Sequence, residues 1–335
     1  MKIANCKFDT LLKVAAFMML IYFFNVPAAL AGTNAGMAGA FLRMGLGARA
    51  MALGDVGVAL PGNGYGIYYN AASLPYLQKK VFSASYNRLA LDRRLNFVGF
   101  ATPLHPKMTG AKGALTAGVG VGWINSGAGK MQGYDNDGNP TGDFSQSENA
   151  FIFSFALRLA DRVSVGFSPT ILYNSFPKLT DKESLSASSL GFDAGALVNP
   201  WRTLYLGIQA RHINAQYRWD TGPLLSQSGT VTEDKFPRIY RLGASYEFPV
   251  GLLIAGDFET SDQTDNQVHV GAEYTIMNFD PYAFSLRAGY DDEDYALGLG
   301  FGFAWWKLRG QLDYAYLIQS VPPWNTQVLS FAVNF

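Results

Sequence analysis

The chain has 335 residues, 49% of them hydrophobic and only 16% charged, with 36 glycines, 14% aromatics and a formal net charge of zero. Length alone permits two soluble domains or one large barrel, and the balanced charge offers no field that would recruit nucleic acid or an acidic partner. After residue 31 no apolar run approaches the ~18 residues a spanning helix needs, so any membrane part must be built of strands.

The N-terminus carries Lys2, Lys7 and Lys13, then the apolar run Val14 to Phe24, then Ala29-Leu30-Ala31. A basic region, a short apolar core and a small-x-small site predict a cleavable signal peptide over residues 1–31, and hence export. A single membrane anchor is the alternative, but the run is short and Gly32-Thr33-Asn34 supplies no stop-transfer charge. The only cysteine, Cys6, lies in this leader and ahead of the apolar run. The exported chain is therefore expected to have no disulfide, no thiolate metal site and no lipidated cysteine.

Residues 32–78 form a Gly-rich segment too polar to span lipid, and a barrel follows at 79–335. From residue 79 onward the chain falls into segments of roughly ten residues that alternate apolar with small or polar, separated by turn-rich stretches. Hydrocarbon leaves no water to pair backbone N–H and C=O groups; a closed sheet pairs them all, with one side-chain face to lipid and the other to the lumen. The expected strands are 79–87, 93–103, 113–124, 147–159, 162–175, 186–199, 203–217, 237–249, 251–260, 266–276, 281–290, 294–304, 307–317 and 325–335. The fold class is thus all-β, a transmembrane antiparallel barrel of about fourteen strands. Sandwiches and propellers also contain many short alternating strands, but no fixed-period repeat marks a propeller.

Within these strands, Leu204, Leu206, Ile208 and Ala210 share the lipid face, opposite Tyr205, Gly207, Gln209 and Arg211. Val268, Val270, Ala272 and Tyr274 likewise oppose Gln267, His269, Gly271, Glu273 and Thr275, and Leu308, Leu312 and Tyr314 oppose Arg309, Gln311 and Asp313. Connector lengths agree: Ser126 to Gln146, Phe176 to Leu185 and Asp220 to Phe236 are long and polar and fall on one side. Leu159-Ala160-Asp161, Asn199 to Arg202 and Phe248 to Gly251 are tight and fall on the other. Trp305, Trp306, Tyr314 and Tyr316 are candidates for interfacial girdles.

The inferred luminal face carries Asp193, Arg211, Arg241, Glu247, Asp257, Glu259, His269, Glu273, Arg287, Arg309 and Asp313. Mixed signs suit a structural ion-pair network that ties down a plug better than a selectivity lining. Pro169 sits between the apolar positions Phe167 and Ile171 of the fifth strand, where it removes a ladder hydrogen bond and predicts a gap or kink in the wall. His105, His212 and His269 are dispersed, and no spacing of Ser, His and acid suggests catalysis. Asp135 to Asn139 lacks the downstream glutamate of a calcium loop and reads as an exposed turn. No enzyme, metal, cofactor or nucleic-acid role is expected.

Gly39 to Ala59, containing Gly45-Leu46-Gly47-Ala48-Arg49-Ala50 and Gly54-Asp55, is followed by Ile67 to Leu74 with Asn70. This stretch resembles the N-terminal motif of the PorV/PorQ family of FadL-like barrels, with Ala71 and Ser73 where that family commonly has Pro and Gly. The resemblance implies a fourteen-strand barrel in the bacterial outer membrane whose small N-terminal segment sits in the lumen, with Gly45, Gly47, Arg49, Gly54 and Asn70 as motif residues. The last strand, Gln327 to Phe335, resembles the C-terminal signature that barrel-assembly machinery reads. Two functions follow from the resemblance. One is passage of a hydrophobic ligand such as a fatty acid, with Pro169 as a lateral opening. The other is an accessory role in type IX secretion, binding exported proteins or translocon partners. Outer-membrane lipid surrounds the barrel in either case. Long polar loops short of aromatic anchors favour transport.

Overall fold

The strands are long, β-branched and aromatic on one face, and separated by Gly, Asp and Asn turns, which is the pattern of antiparallel hairpins. In the computed structural model, which describes residues 36–90, 92–105, 116–134, 137–177, 184–222, 229–279, 281–320 and 325–335, they form a single closed ring. The expected signal peptide lies outside the described residues. In chain order the strands are β1 (Val81–Arg88), β2 (Arg93–Leu104), β3 (Thr116–Tyr134), β4 (Pro140–Ala160), β5 (Val163–Phe176), β6 (Leu185–Trp201), β7 (Leu204–Ile213) and β8 (Gln216–Asp220). They continue as β9 (Val231–Lys235), β10 (Ile239–Phe248), β11 (Leu252–Ser261), β12 (Gln267–Phe279), β13 (Tyr282–Asp291), β14 (Asp294–Trp305), β15 (Leu308–Ile318) and β16 (Thr326–Asn334). Fourteen of these close the barrel, β1 pairing with β16, while β8 and β9 form a separate hairpin.

The expected parity holds around the ring. Phe153, Phe155, Ile171, Ile208, Leu242, Phe258, Leu297 and Leu329 point outward and are exposed, whereas their chain neighbours point inward and are buried. An apolar outside and a polar, filled inside is the reverse of a soluble sandwich. Both ends of the barrel chain lie together, with Phe335 N–H donating to Lys80 O at 3.0 Å. At this terminal end the links after β4, β6, β10, β12 and β14 are tight. Large aromatics gather there: Trp201, Phe279, Trp305 and Trp306 are exposed, and Phe100 lies 6.2 Å from Phe335.

The structure corrects three boundaries. The stretch from Ser126 to Gln146 is mostly strand: β3 and β4 run on past the barrel as a hairpin with register shifts after Ala128 and Gly133. The strand expected over 203–217 ends at Ile213, because His212 and Asn214 take the left-handed conformation, φ 59° and 62°, and turn the chain into β8. The connector from Asp220 to Phe236 accordingly contains β9. The β3–β4 extension and β9 are polar on both faces, and alternation marks a strand only where one face is apolar; β8 has Tyr217 and Trp219 on one face but is only five residues long.

Gly271, Gly289 and Gly298 on the inner face leave room for other backbone. A Cβ on Gly289 would stand 2.1 Å from Gly54 N and 2.3 Å from Leu53 C, atoms that cannot swing aside. Gly289→Ala is therefore expected to lower the unfolding midpoint in detergent, at a cost of about 1–3 kcal/mol. Gly129→Ala, whose added carbon has ordinary contact at 3.6 Å, leaves the midpoint unchanged. Equal stability of the two variants would show that the inner glycines are not required.

Candidate functional site

Residues 36–80 contain only short helical turns, at Ala40–Arg43, Ala48–Met51, Gly66–Tyr69 and Ala71–Tyr76. They are almost wholly buried and they touch strands on every side of the ring. The segment therefore lies inside the barrel. Short helices cannot satisfy their own end groups, so the wall must do so. Ser330 Oγ accepts from Ala48 N at 3.0 Å, Ser164 Oγ donates to Ala72 O at 2.6 Å, Ser245 Oγ donates to Ala59 O at 2.8 Å, and Gln209 Nε2 donates to Tyr68 O at 3.2 Å. Asn70, a motif residue, donates to Val58 O at 2.9 Å and Ala196 O at 3.1 Å and accepts from Ala72 N at 3.0 Å.

The inner face has two unlike halves. On β2 to β6 it is mostly apolar, with Leu95, Phe97, Ile124, Ile152 and Leu172 packed against Phe41, Ile67, Tyr68 and Leu74 of the segment, interspersed with hydroxyls such as Ser154 and Ser164 and the two acids Glu148 and Asp193. On β7 and β10 to β15 it carries the charges. Cross-strand register sets Arg241 opposite Glu259, Asp257 opposite His269, and Glu273 opposite Arg287.

Two clusters result. In the first, Arg241 binds Glu259 through Nε and reaches into the segment, donating to Asp55 Oδ2 at 3.0 Å and to Asp55 O at 3.2 Å. Tyr69 OH donates to the other Asp55 oxygen. His269 Nδ1 stands 3.1 Å from Gly54 O and 2.8 Å from Asp291. Asp257 accepts Gly57 N at 2.9 Å and Val58 N at 3.1 Å. In the second, Arg49 of the segment forks onto Glu273 at 2.7 and 2.8 Å, and Arg287 joins Glu273 to Asp313, the latter at 2.7 Å. Gly300 makes this reach possible, since a Cβ there would lie 2.4 Å from the Arg287 guanidinium.

The motif glycines serve the same contacts. Gly54 combines φ 74° with a Cβ position 2.2 Å from Tyr290 O, so only glycine fits. Gly45 and Gly47 back directly onto Asp55 and Tyr65. The remaining lining residues are placed differently. Arg211 is buried with its guanidinium 4.2 Å over the Tyr68 ring and donates to Leu42 O at 2.9 Å, while its Nε and Nη1 have no hydrogen-bond partner among the described residues. Asp193 accepts from His212 N at 2.8 Å, where the β6–β7 register shifts. Glu247 and Arg309 are exposed near the terminal end, away from the packed lumen, so they line its mouth.

Pro169 does not break the wall on both sides. Its pairing with Phe192 on β6 lies in an unbroken register, while β4 and β5 lose pairing where Phe153 and Ser154 face Pro169 and Ser168, with the same register on either side of that gap and a separate shift between Arg158 and Ala160. Ser154 and Ser168 close that spot from within through a 2.8 Å hydroxyl contact. The expected kink is a local ladder gap with no opening.

At the loop end, opposite the termini, lies a cavity of about 290 Å³. Arg43, Met44, Met51 and Asp55 of the segment form its floor, and Leu89, Arg93, Asp291, Asp294, Tyr295, Leu317 and Thr326 its walls. Sequence reasoning missed this cavity and missed Asp55. The available signal was that Asp55 is the only acid between residues 32 and 78, beside Arg43 and Arg49 in an otherwise uncharged stretch. Sequence periodicity cannot report a site assembled from chain turns and a folded-in terminus.

The sequence matches no family model and no curated protein. Solved structures do match. The Ralstonia pickettii toluene transporter TbuX superposes with a TM-score of 0.57 at 14% identity, over 86% of this chain and 97% of that one. A Pseudomonas aeruginosa FadL homologue gives 0.56 at 14%, over 86% and 96%, and the Pseudomonas putida toluene transporter TodX 0.57 at 12%, over 87% and 99%. At such identities the likeness is one of fold: this chain has the FadL-like barrel architecture.

The two kinds of buried arginine make different predictions. Arg241→Met leaves Asp55 and Glu259 without their cation and is expected to cost about 3–5 kcal/mol. Arg211→Met removes a cation that makes no close ion pair among the described residues, although Asp193 lies near enough to interact with it, and is expected to cost less than Arg241→Met, about 1–2 kcal/mol. Denaturant unfolding in detergent, alongside protease release of the N-terminal segment, measures both. A similar cost for each variant would mean the Arg241 cluster does not hold the segment.

Proposed function

We propose that this chain is an outer-membrane channel of the FadL type that passes a hydrophobic small molecule, such as a fatty acid, into the cell. The apolar outer face supports seating the barrel in a bilayer. The tight links and termini then belong on the periplasmic side and the longer loops outside. No helix among the described residues is long and apolar enough to cross a membrane, so the strands are the spanning elements of this reading.

The loop-end cavity carries the proposal. Met44, Met51, Leu89 and Leu317 offer apolar contact, and Arg43 and Arg93 offer cations to an acidic head. Its volume is near the lower limit of the roughly 300–1,000 Å³ of small-molecule sites, which suits a compact ligand or one end of a chain. Asp55 lines the cavity and is also the partner of Arg241. A ligand that engages the cavity thus competes with the ion pair that anchors the segment, and occupancy biases the segment toward release. The rungs where Phe153 and Ser154 face Pro169 and Ser168 without pairing interrupt the β4–β5 ladder and are the proposed lateral exit. The apolar cargo class is supported by the neighbours TbuX and TodX, toluene transporters, and CymD, a monoaromatic hydrocarbon channel.

A second reading has its own observation. The segment fills the lumen and the β5–β6 register is continuous past Pro169, while the β3–β4 hairpin projects beyond the ring and the exposed strand β9 flanks β8 at the same end. These features suit an accessory of type IX secretion that binds exported proteins or translocon partners, in keeping with the PorV/PorQ resemblance of Gly45 to Asn70.

Uptake of labelled oleate and labelled toluene by cells lacking their own FadL-type proteins separates the two. Filling the cavity with Met44→Trp and Leu317→Trp is expected to lower uptake about tenfold or more, equivalent to ~1.4 kcal/mol of lost binding. Pro169→Val, which restores the missing N–H, is expected to lower uptake while leaving ligand binding unchanged. Uptake that never exceeds that of cells without the protein, or that ignores the filled cavity, would remove the transport reading and leave partner binding.

A further inference from the structure

Around the loop-end rim the two signs are unevenly distributed. Asp262, Asp265, Asp292, Glu293 and Asp294 cluster where β11 meets β12 and β13 meets β14. At the tight β1–β2 turn, three strands round the ring from β14, stand Arg88, Arg93 and Arg94, all exposed, with exposed Asp92 beside them. Arg88 and Arg94 are direct cross-strand partners in the register. Both occupy the outward face, because Asn87 and Leu95 beside them are the buried, inward positions. Like charges placed opposite each other destabilise a strand pair unless an anion lies between them. Among the described residues neither guanidinium has an acidic partner, whereas Arg238 on the acidic side is matched to Asp262 at 3.9 Å.

The surroundings of the pair also point to a ligand of a particular kind. The register carries its row sideways through Gln327 and Tyr316 on one flank and through Gly127 and Ser147 on the other. One row nearer the membrane centre stand Tyr86, Asn96, Asn125 and Asn149, and below them Val98, Trp123 and Phe151. From the rim downward the outward face thus offers two guanidiniums, then amides and a phenol, then a wholly apolar surface. That sequence matches a phosphate on a sugar headgroup whose acyl chains lie against the barrel: paired arginines fork onto phosphate oxygens, amides bond hydroxyls, and Trp and Phe pack on the chains.

We infer that Arg88 and Arg94 form a binding site for the phosphorylated sugar headgroup of an acylated glycolipid in the leaflet around the barrel. The inference rests on the membrane placement proposed above and is independent of what the channel passes.

The test uses the full exported chain in nanodiscs and in mild detergent, with bisphosphorylated lipid A, the same lipid A stripped of both phosphates, and phosphatidylglycerol as probes, counted by native mass spectrometry. Wild type is expected to retain bisphosphorylated lipid A about tenfold better than either comparison lipid, as paired charge-assisted contacts imply. The double variant Arg88→Gln, Arg94→Gln loses that preference, and Arg238→Gln keeps it. Heat-modified gel mobility verifies that each variant is a folded barrel. Equal retention of the dephosphorylated lipid or of phosphatidylglycerol, or a preference that survives in the double variant, overturns the site. A chain that fails to enter nanodiscs overturns the membrane placement and the site together, whereas one that enters without phosphate preference overturns the site alone.

Discussion

A carboxylate on the N-terminal segment, Asp55, and a guanidinium on the wall, Arg241, meet in the lumen at 3.0 Å, and much of the interior is arranged around that contact. Neither group can be buried alone, because an unpaired charge out of water is costly. Glu259 and Tyr69 therefore complete the first cluster, and Arg49, Glu273, Arg287 and Asp313 repeat the device on the neighbouring strands. Hydrogen bonds from Asp257, Ser245, Asn70 and Ser164 then fix the backbone between these anchors. The result is a terminus held by directional bonds on one half of the lumen and by apolar packing on the other. Directional bonds break in discrete steps, so the charged half is the part of the interior suited to switching, and the apolar half the part suited to staying put.

The fold was legible because the barrel wall obeys one rule over its whole length. Alternation assigned Arg211, Arg241, Asp257, Glu259, His269, Glu273, Arg287 and Asp313 to the inner face from sequence alone, and all eight are buried. The same rule put Glu247 and Arg309 inward without saying how far along the barrel they lie, and both turn out to be at the mouth. Depth depends on register, which periodicity does not carry. The rule is also silent where both faces are polar, and so the β3–β4 extension and β9 read as loops, while the short β8 was merged in part with the strand before it.

Contacts between the segment and the wall were the least legible part. Arg49 meets Glu273 across 224 positions, and Asp55 meets Arg241 across 186. No local pattern encodes such pairs. What the sequence did contain was their space requirement: Gly54 facing Gly289, and Gly300 facing Arg287, are small residues at points where two parts of the chain approach closely. Pro169 carried a partial message. It marks a real interruption in the β4–β5 ladder, but the serine pair behind it and the intact β6 side keep the wall shut.

The seam between β1 and β16 joins the first strand of the ring to the last, and the segment that fills the ring precedes β1 in the chain. A plugged tube cannot be threaded after it has been sealed. The segment must be in place, or carried along by β1, when the final strand arrives, so sealing the seam is a late event that waits on nearly the whole chain. Contacts of such long sequence separation form slowly. Until the seam forms, both strands present bare edges. The chain therefore depends on protection during its assembly that the finished barrel no longer needs.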